Sequence, residues 1–434
     1  MSTEPQSSNV GSLTLAIDLG TSRLKLAAFD EELDQAYAVS SSTPTGRARG
    51  ELEAGDLWLG IQGLVSSAGV GLDLRRITAI GITGMAESGC LIDKQDRPIT
   101  PMLLWHDRRG IRQAAALRRR AGPRFARLTG LRMTSVRSVA KWRWMIDHGA
   151  PRAARWCGAP EWIALCLTGA WATDYTLAVR TGVFDVAGRR YSRELLAAAG
   201  ARPGIFPPTR GSPAPIGKLR PNVAAELGLS GSAEVVIAGH DDIVSAYGAE
   251  GREGDLIDSG GTAEGLVRIL ASVPSPATTA KARMAMTPFY LTGTFALLAG
   301  AGSTGALMQE AAKMLGQSPA ELDRLATPRR QYPEGTIKAR LTKESLPRLK
   351  VDSKVAAPRV WSAVLDLVCD RFEAAARRLE QLAGPPRRLV LIGGAAQSDE
   401  LVRRKAERLG LPAVVLHGVD TATLGAAMLA KRSP

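Results

Sequence analysis

The chain has 434 residues, too many for one compact core and about right for two or three domains. It is 45% hydrophobic with charges spread throughout, which excludes a disordered chain, and no apolar run reaches the roughly 18 to 20 residues that a membrane span needs. The net charge of +14 suggests an anionic partner, but aromatics make up only 5% and no zinc-finger, RNP or helix-turn-helix pattern occurs, so nucleic acid is not expected.

Met1 to Ser12 lacks the charged-then-apolar order of a secretory leader, and a cytoplasmic protein is expected. Cys90, Cys157, Cys166 and Cys369 have no metal-type spacing and read as buried free thiols. Arginines concentrate between Arg108 and Arg137, with smaller groups at Arg329-Arg330, Arg387-Arg388 and Arg403-Arg404-Lys405. On alanine-rich helices they read as solvated faces whose field can attract a polyphosphate.

In chain order, Leu13–Asp18 and Leu24–Asp30 read as strands around the turn Gly20-Thr21-Ser22, and Gln35–Ser40 as a third. Asp56–Ser67 has helical spacing and Ile77–Thr83 reads as a buried strand ending in glycine. Helices are expected at Arg112–Arg120 and Ser138–His148, then a proline-rich connector over Pro203–Pro221. Val235–Gly239 begins the second half as a strand, and Asp255–Ser259 and Gly265–Leu270 flank the turn Gly260-Gly261-Thr262. Phe295–Leu298 and Leu389–Ile392 read as strands; Thr304–Leu315, Val360–Leu382, Asp399–Leu409 and Thr421–Lys431 read as helices. The two halves share the text Asp-x-Gly within a hairpin, Asp18-x-Gly20 and Asp258-x-Gly260, which implies two similar α/β domains whose turns meet at one cleft.

In Asp18-Leu-Gly20-Thr21-Ser22, glycine admits an anion to backbone N–H groups and the hydroxyls donate further bonds. Asp18, at the end of its strand, suits a magnesium ion; the same text also suits an ordinary hairpin turn. Gly211 to Lys218 has the wrong glycine spacing for a Walker loop and reads as connector. Gly239-His240-Asp241-Asp242 follows a strand, where a carboxylate can face a ligand crevice and accept a hydroxyl proton. Asp241 or Asp242 would equally serve as a helix N-cap. Leu391-Ile-Gly393-Gly394-Ala-Ala396 can admit an adenine or ribose against bare backbone, or can simply pack tightly.

Taken in order, these segments resemble the FGGY carbohydrate kinases over roughly residues 13 to 431. The resemblance is carried by Ile17-Asp18-x-Gly20-Thr21-Ser22, Thr83-Gly84-Met85-Ala86-Glu87, Pro101-x-x-x-Trp105-x-Asp107-x-Arg109 and Ser138-x-x-Lys141-Trp142. Thr168-Gly169 with Thr173-Asp174-Tyr175, Gly239 to Asp242, Gly393 to Ser398 and Ala422 to Ala427 complete it. It implies two RNase-H-like (actin-like ATPase) domains, over residues 12–247 and 248–431, with Mg-ATP in the cleft between them. By the same resemblance Asp241 is the catalytic base and Asp18 serves magnesium. Gly20, Thr21, Ser22, Gly261, Thr262, Gly302, Gly393, Gly394 and Ala395 hold the nucleotide; Met85, Glu87, Trp105 and Asp242 line the sugar pocket.

The expected activity is transfer of the γ-phosphate of ATP to a hydroxyl of a small sugar, polyol or sugar acid, with a ketose or xylulose-like substrate favoured and a homodimer allowed. A degenerate ATP-binding scaffold and a basic nucleic-acid-binding protein are the alternatives. Three departures stand out. Arg137 replaces a small or aromatic residue of the family signature, and the basic stretch Tyr332–Pro358 stands where a second signature is expected, so the second domain reads as shortened. Met85-Ala86-Glu87 also lacks the arginine that glycerol kinases pair with this glutamate, and Glu87 has no evident local partner.

Overall fold

The strand Leu13–Leu19 is buried along its whole length, as an aliphatic run covered on both faces must be. It pairs antiparallel with Arg23–Phe29 and parallel with Ile77–Gly84. The computed structural model describes residues 11–432 apart from 273, 327–331, 334, 342–346 and 352–353. Arg329, Arg330, most of Met1 to Ser12 and parts of the Tyr332–Pro358 stretch therefore lie outside the described residues.

These three strands centre a six-stranded sheet in the order Ala214–Lys218, Glu234–His240, Ile77–Gly84, Leu13–Leu19, Arg23–Phe29, Gln35–Ser42. A second six-stranded sheet runs Ala285–Pro288, Phe295–Gly302, Glu264–Leu270, Asp255–Gly260, Arg388–Gly393, Ala413–Val415. The plan recurs as the sequence predicts. Asp255–Gly260 pairs antiparallel with Glu264–Leu270 across a tight turn and parallel with Arg388–Gly393.

Helices Ala54–Ala68 and Ala159–Thr168 cover one face of the first sheet, through Leu57, Ile61, Leu64 and Ile163. Ala357–Ala383 packs on the second sheet and against Asp399–Leu409. Between the two sheets lie Asp241–Gly248 and Thr421–Lys431, whose Ile243, Val244, Ala426 and Ala427 share one core with residues of both sheets. The second of these helices crosses over: it packs on Leu13–Leu19, Ile77–Gly84 and Glu234–His240 of the first sheet. Glycines make that approach possible. A Cβ at Gly81 would overlap the Ala426 carbonyl, and one at Gly425 the Val244 carbonyl.

Gly211 to Lys218 is not wholly connector. Ala214–Lys218 forms the edge strand beside Glu234–His240, with a bulge between Pro215 and Gly217. An edge tolerates proline because its outward N–H needs no partner. Also unforeseen is a four-stranded sheet of Glu51–Leu52, Met102–Leu103, Gly89–Ile92 and Arg155–Gly158, whose strands are too short to show alternation. Helix Ala159–Thr168 escapes a periodicity search because it is buried on nearly every side. The four cysteines are buried free thiols. Among the described residues no helix is long and apolar enough to cross a membrane.

Candidate active site

Residues of both sheets line one cleft of about 1000 Å³. Its walls hold Asp18, Gly20, Thr21, Ser22, Met85, Glu87, Trp105, Asp241, Asp242, Gly261, Thr262, Gly393 and Gly394. Gly302 and Ala395 are absent from its lining. Gly302 ends a strand opposite Glu264, and the Ala395 side chain fills the space that a Cβ at Gly260 would need.

The two glycine turns approach each other directly. The hydroxyls of Ser22 and Thr262 lie 3.0 Å apart. In the first turn a Cβ at Gly20 would come within 2.8 Å of the Arg23 carbonyl. Thr21 Oγ1 accepts from Trp105 Nε1 at 2.8 Å, so the half-buried indole is committed to this turn. Beside the second hairpin, Gly393 ends the strand Arg388–Gly393 with φ +80°, and a Cβ there would sit 2.9 Å from the Gly260 carbonyl. Behind that hairpin, buried Lys405 ties Asp258 (2.5 Å) to Glu264 (2.7 Å).

Asp18 is buried at the end of the first strand, and burial raises its pKa to about 6 although Lys25 pulls the other way. Lys25 Nζ lies 3.2 Å from Asp18 and 2.5 Å from Asp420, which joins the first sheet to the cap of the Thr421–Lys431 helix. Asp18 Oδ1 is buried without a hydrogen-bond partner.

Strand Glu234–His240 delivers Asp241 to the cleft through Gly239, whose φ of +130° and contacts with Thr176 and Tyr290 leave no room for a side chain. Several bonds hold this turn. Thr83 Oγ1 donates to the Gly239 carbonyl (2.9 Å), Tyr290 Oη to Ala238 (2.7 Å), and His240 N to Thr176 Oγ1 (2.8 Å). Thr176 is in turn held by Asp174, the buried cap of Tyr175–Ala178. Sequence reasoning quoted Thr173-Asp174-Tyr175 without finding this task.

The helix that follows starts at Asp241, and its cap position is His240, which makes no side-chain cap bond. Asp241 Oδ1 accepts from Asp242 N at 3.0 Å. Partial burial in the cleft, then the charges of Asp242 and Asp18, hold the Asp241 carboxyl well above the ordinary carboxylate value. His240 Nε2 lies 3.3 Å from Asp241, yet burial depresses this imidazole to about 4, so it is neutral near pH 7. Asp242 points to the second domain: a Cβ at Gly265 would meet its carboxylate oxygens at 3.0 Å.

Glu87 has partners that its sequence neighbourhood did not reveal. It is buried with φ +62°, and its carboxylate is gripped by Arg137 and, at 3.1 Å, by Arg180. Burial opposes its charge, but the two guanidiniums outweigh that and hold its pKa below the usual value. Lys141, fully buried, donates to the carbonyls of Glu87 (2.8 Å), Trp105 (3.0 Å) and Val136 (3.1 Å), and burial lowers its pKa to about 7. Arg132, Arg137, Arg180 and Arg283 all line the cleft.

Comparison with known proteins agrees with this architecture. The N-terminal domain of the FGGY family of carbohydrate kinases matches residues 13–248 and its C-terminal domain residues 336–433. An L-fuculokinase of Salmonella typhi is 26% identical over 371 residues, covering 81% of this chain and 76% of the relative. A glycerol kinase of Polaromonas naphthalenivorans is 26% identical over 451 residues, covering 96% and 89%. The crystal structure of ligand-bound xylulose kinase from Lactobacillus acidophilus superposes with a TM-score of 0.83 at 19% identity, over 97% of this chain and 89% of that one. The chain belongs to the FGGY family of carbohydrate kinases and has the two-domain actin-like ATPase fold.

Proposed function

We propose that this ATP-dependent kinase uses Asp241 to deprotonate a hydroxyl of a small sugar, polyol or sugar acid as that oxygen attacks the γ-phosphate of Mg-ATP. The observation that carries this reading is the meeting of Ser22 and Thr262 in a cleft that also presents Asp18 and Asp241. Two hydroxyl-bearing glycine turns from opposite domains can grip one polyphosphate from both sides. The bare Gly393-Gly394 backbone on the same wall leaves space for the nucleoside.

A base needs a raised proton affinity and access to the hydroxyl. Burial and the neighbouring carboxylates hold the Asp241 carboxyl above its ordinary value, and its side chain is about one-third exposed to the cleft. Its attachment through Gly239 and the Thr83, Thr176 and Tyr290 bonds fixes its position, and positioning supplies much of the rate in phosphoryl transfer. The residues present fit a hard divalent cation. Asp18 offers an orphaned buried oxygen, and His240, Asp241 and Asp242 bring donor atoms within 4.8 Å of one another. Magnesium held by Asp18 would neutralise charge on the phosphates. Glu87 lines the sugar end, where its arginine partners fix its orientation.

Fuculokinase and glycerol kinase name different substrates, so the acceptor must be found by assay. ADP release is to be measured with Mg-ATP over a panel of ketoses, polyols and sugar acids. At least one acceptor should stimulate ADP release well above the rate in water. Absence of both stimulation and any Mg-ATP-induced rise in melting temperature would sink the reading.

A further inference from the structure

We propose that the sugar end of the cleft is built for an acceptor carrying its own negative charge, the carboxylate of a sugar acid or the phosphate of a sugar phosphate. This rests on the kinase reading above and departs from the ketose expectation drawn from sequence.

The charges of the cleft sort into those already matched and those left over. Lys25 is bound by Asp18 and Asp420 and Glu264 by Lys405, while Asp241 and Asp242 are left-over carboxylates at the base end with the neutral His240 beside them. Against the single carboxylate of Glu87 stand two guanidiniums, Arg137 and Arg180, whose side chains are only 12% and 15% exposed. One of those positive charges is uncompensated by the pair's own partner, and Arg180 Nε is buried with no hydrogen-bond partner. Arg132 and Arg283 add two more cations from opposite domains, both exposed to the cleft. Their loops meet, because the position of a Cβ on Gly130 lies 3.7 Å from Met286 and Pro276.

The arginine pair and Asp241 line the same cleft. A small molecule in it can present an anion to the arginines and a hydroxyl to the base. Guanidinium forks suit this task, since they bind carboxylate and phosphate oxygens in pairs. A neutral polyol would meet a Glu87 carboxylate already occupied on both oxygens.

Matched acceptors test this directly: D-gluconate, D-glucitol and D-glucitol 6-phosphate, and D-xylonate against xylitol. One charged member of a set should exceed its neutral counterpart in kcat/KM by roughly 10- to 100-fold, the span expected for a charge-assisted hydrogen bond. Which charged member wins separates carboxylate from phosphate. Its KM should rise with added salt, while that of the neutral compound should not. Arg180→Gln should shrink the charged-over-neutral ratio, with partial rescue by Arg180→Lys. Should Arg180→Gln fail to fold by its melting curve, Arg132→Gln at the exposed wall supplies the same test. A neutral acceptor turned over as well as the charged ones would overturn the inference and leave the kinase reading standing. Calorimetric titration of each acceptor into the Mg-ADP complex covers acceptors that bind without turnover. Tighter binding of the charged member supports the inference; failure of every acceptor to bind or turn over overturns it, and the kinase reading falls with it only if Mg-ATP also leaves the melting temperature unchanged.

Discussion

Ser22 and Thr262 stand 240 positions apart in sequence, yet their hydroxyls share a 3.0 Å hydrogen bond that bridges the two domains. An exposed bond of this kind contributes only about 0.5 to 1.5 kcal/mol, so it is easily exchanged for bonds to a ligand. A phosphate can accept from both hydroxyls at once. Ser22→Ala and Thr262→Ala should each raise the KM for ATP by about tenfold and leave the acceptor KM little changed. Because the two hydroxyls are partners, the double variant should lose less than the sum of the two, as initial-rate kinetics on all four proteins would reveal.

Asp241→Asn keeps the shape of the side chain and removes the basic oxygen. Turnover should fall on the order of 10² to 10⁴-fold with binding of ATP and acceptor nearly intact. Near-wild-type turnover in this variant, with Asp242→Asn inactive, would assign the base to the neighbouring residue instead.

Glu87 lines the cleft and is also a structural ion. Glu87→Ala would leave Arg137 and Arg180 together without their shared anion in a largely buried site. Removing one partner of such a pair typically costs about 3 to 5 kcal/mol. The melting temperature should fall clearly along with activity, whereas Glu87→Gln should recover part of the stability by keeping hydrogen bonds to the guanidiniums. Thermal denaturation of both variants at pH 7 decides this.

His240 supplies a pH signature. Its folded pKa of about 4 lies below the usual 6.5, so between these values the unfolded chain binds the extra proton. Stability from this group is present above pH 6.5 and is lost as pH falls towards 4, by about 3 kcal/mol at the lower limit. His240→Gln should flatten that part of the stability curve relative to wild type in urea melts across pH 4 to 7. An unchanged slope would mean that the imidazole is not held neutral by its surroundings.

Much of the scaffold was readable because aliphatic strands and glycine turns announce themselves locally. Leu13–Leu19 and Ile77–Gly84 are short, mainly apolar runs that end at or just before a glycine, and the repeated Asp-x-Gly text at Asp18 and Asp258 pointed to both hairpins at one cleft. What remained hidden depends on distance in three dimensions. Arg137 and Arg180 reach Glu87 from 50 and 93 positions away, and nothing in the local text pairs them. Lys141 and Asp174 stood within recognised motifs, but their tasks, gathering carbonyls and anchoring Thr176, depend on which backbone groups point at them. Gly302 and Ala395, expected from sequence among the nucleotide residues, lie outside the cleft lining: one ends a strand and the other fills the space beside Gly260.

The crossing of the Thr421–Lys431 helix onto the first sheet also bears on how the protein is made. Strands from Leu13 to His240 leave a ribosome long before the helix that covers them, and Lys25 must wait 395 positions for Asp420. Until then the glycine-lined face at Gly81 is open to water, and the first half of the chain has an incomplete core. Nascent chains stalled before residue 421 should therefore be more readily cut by protease within the first domain than chains stalled far enough downstream for that helix to clear the ribosome exit.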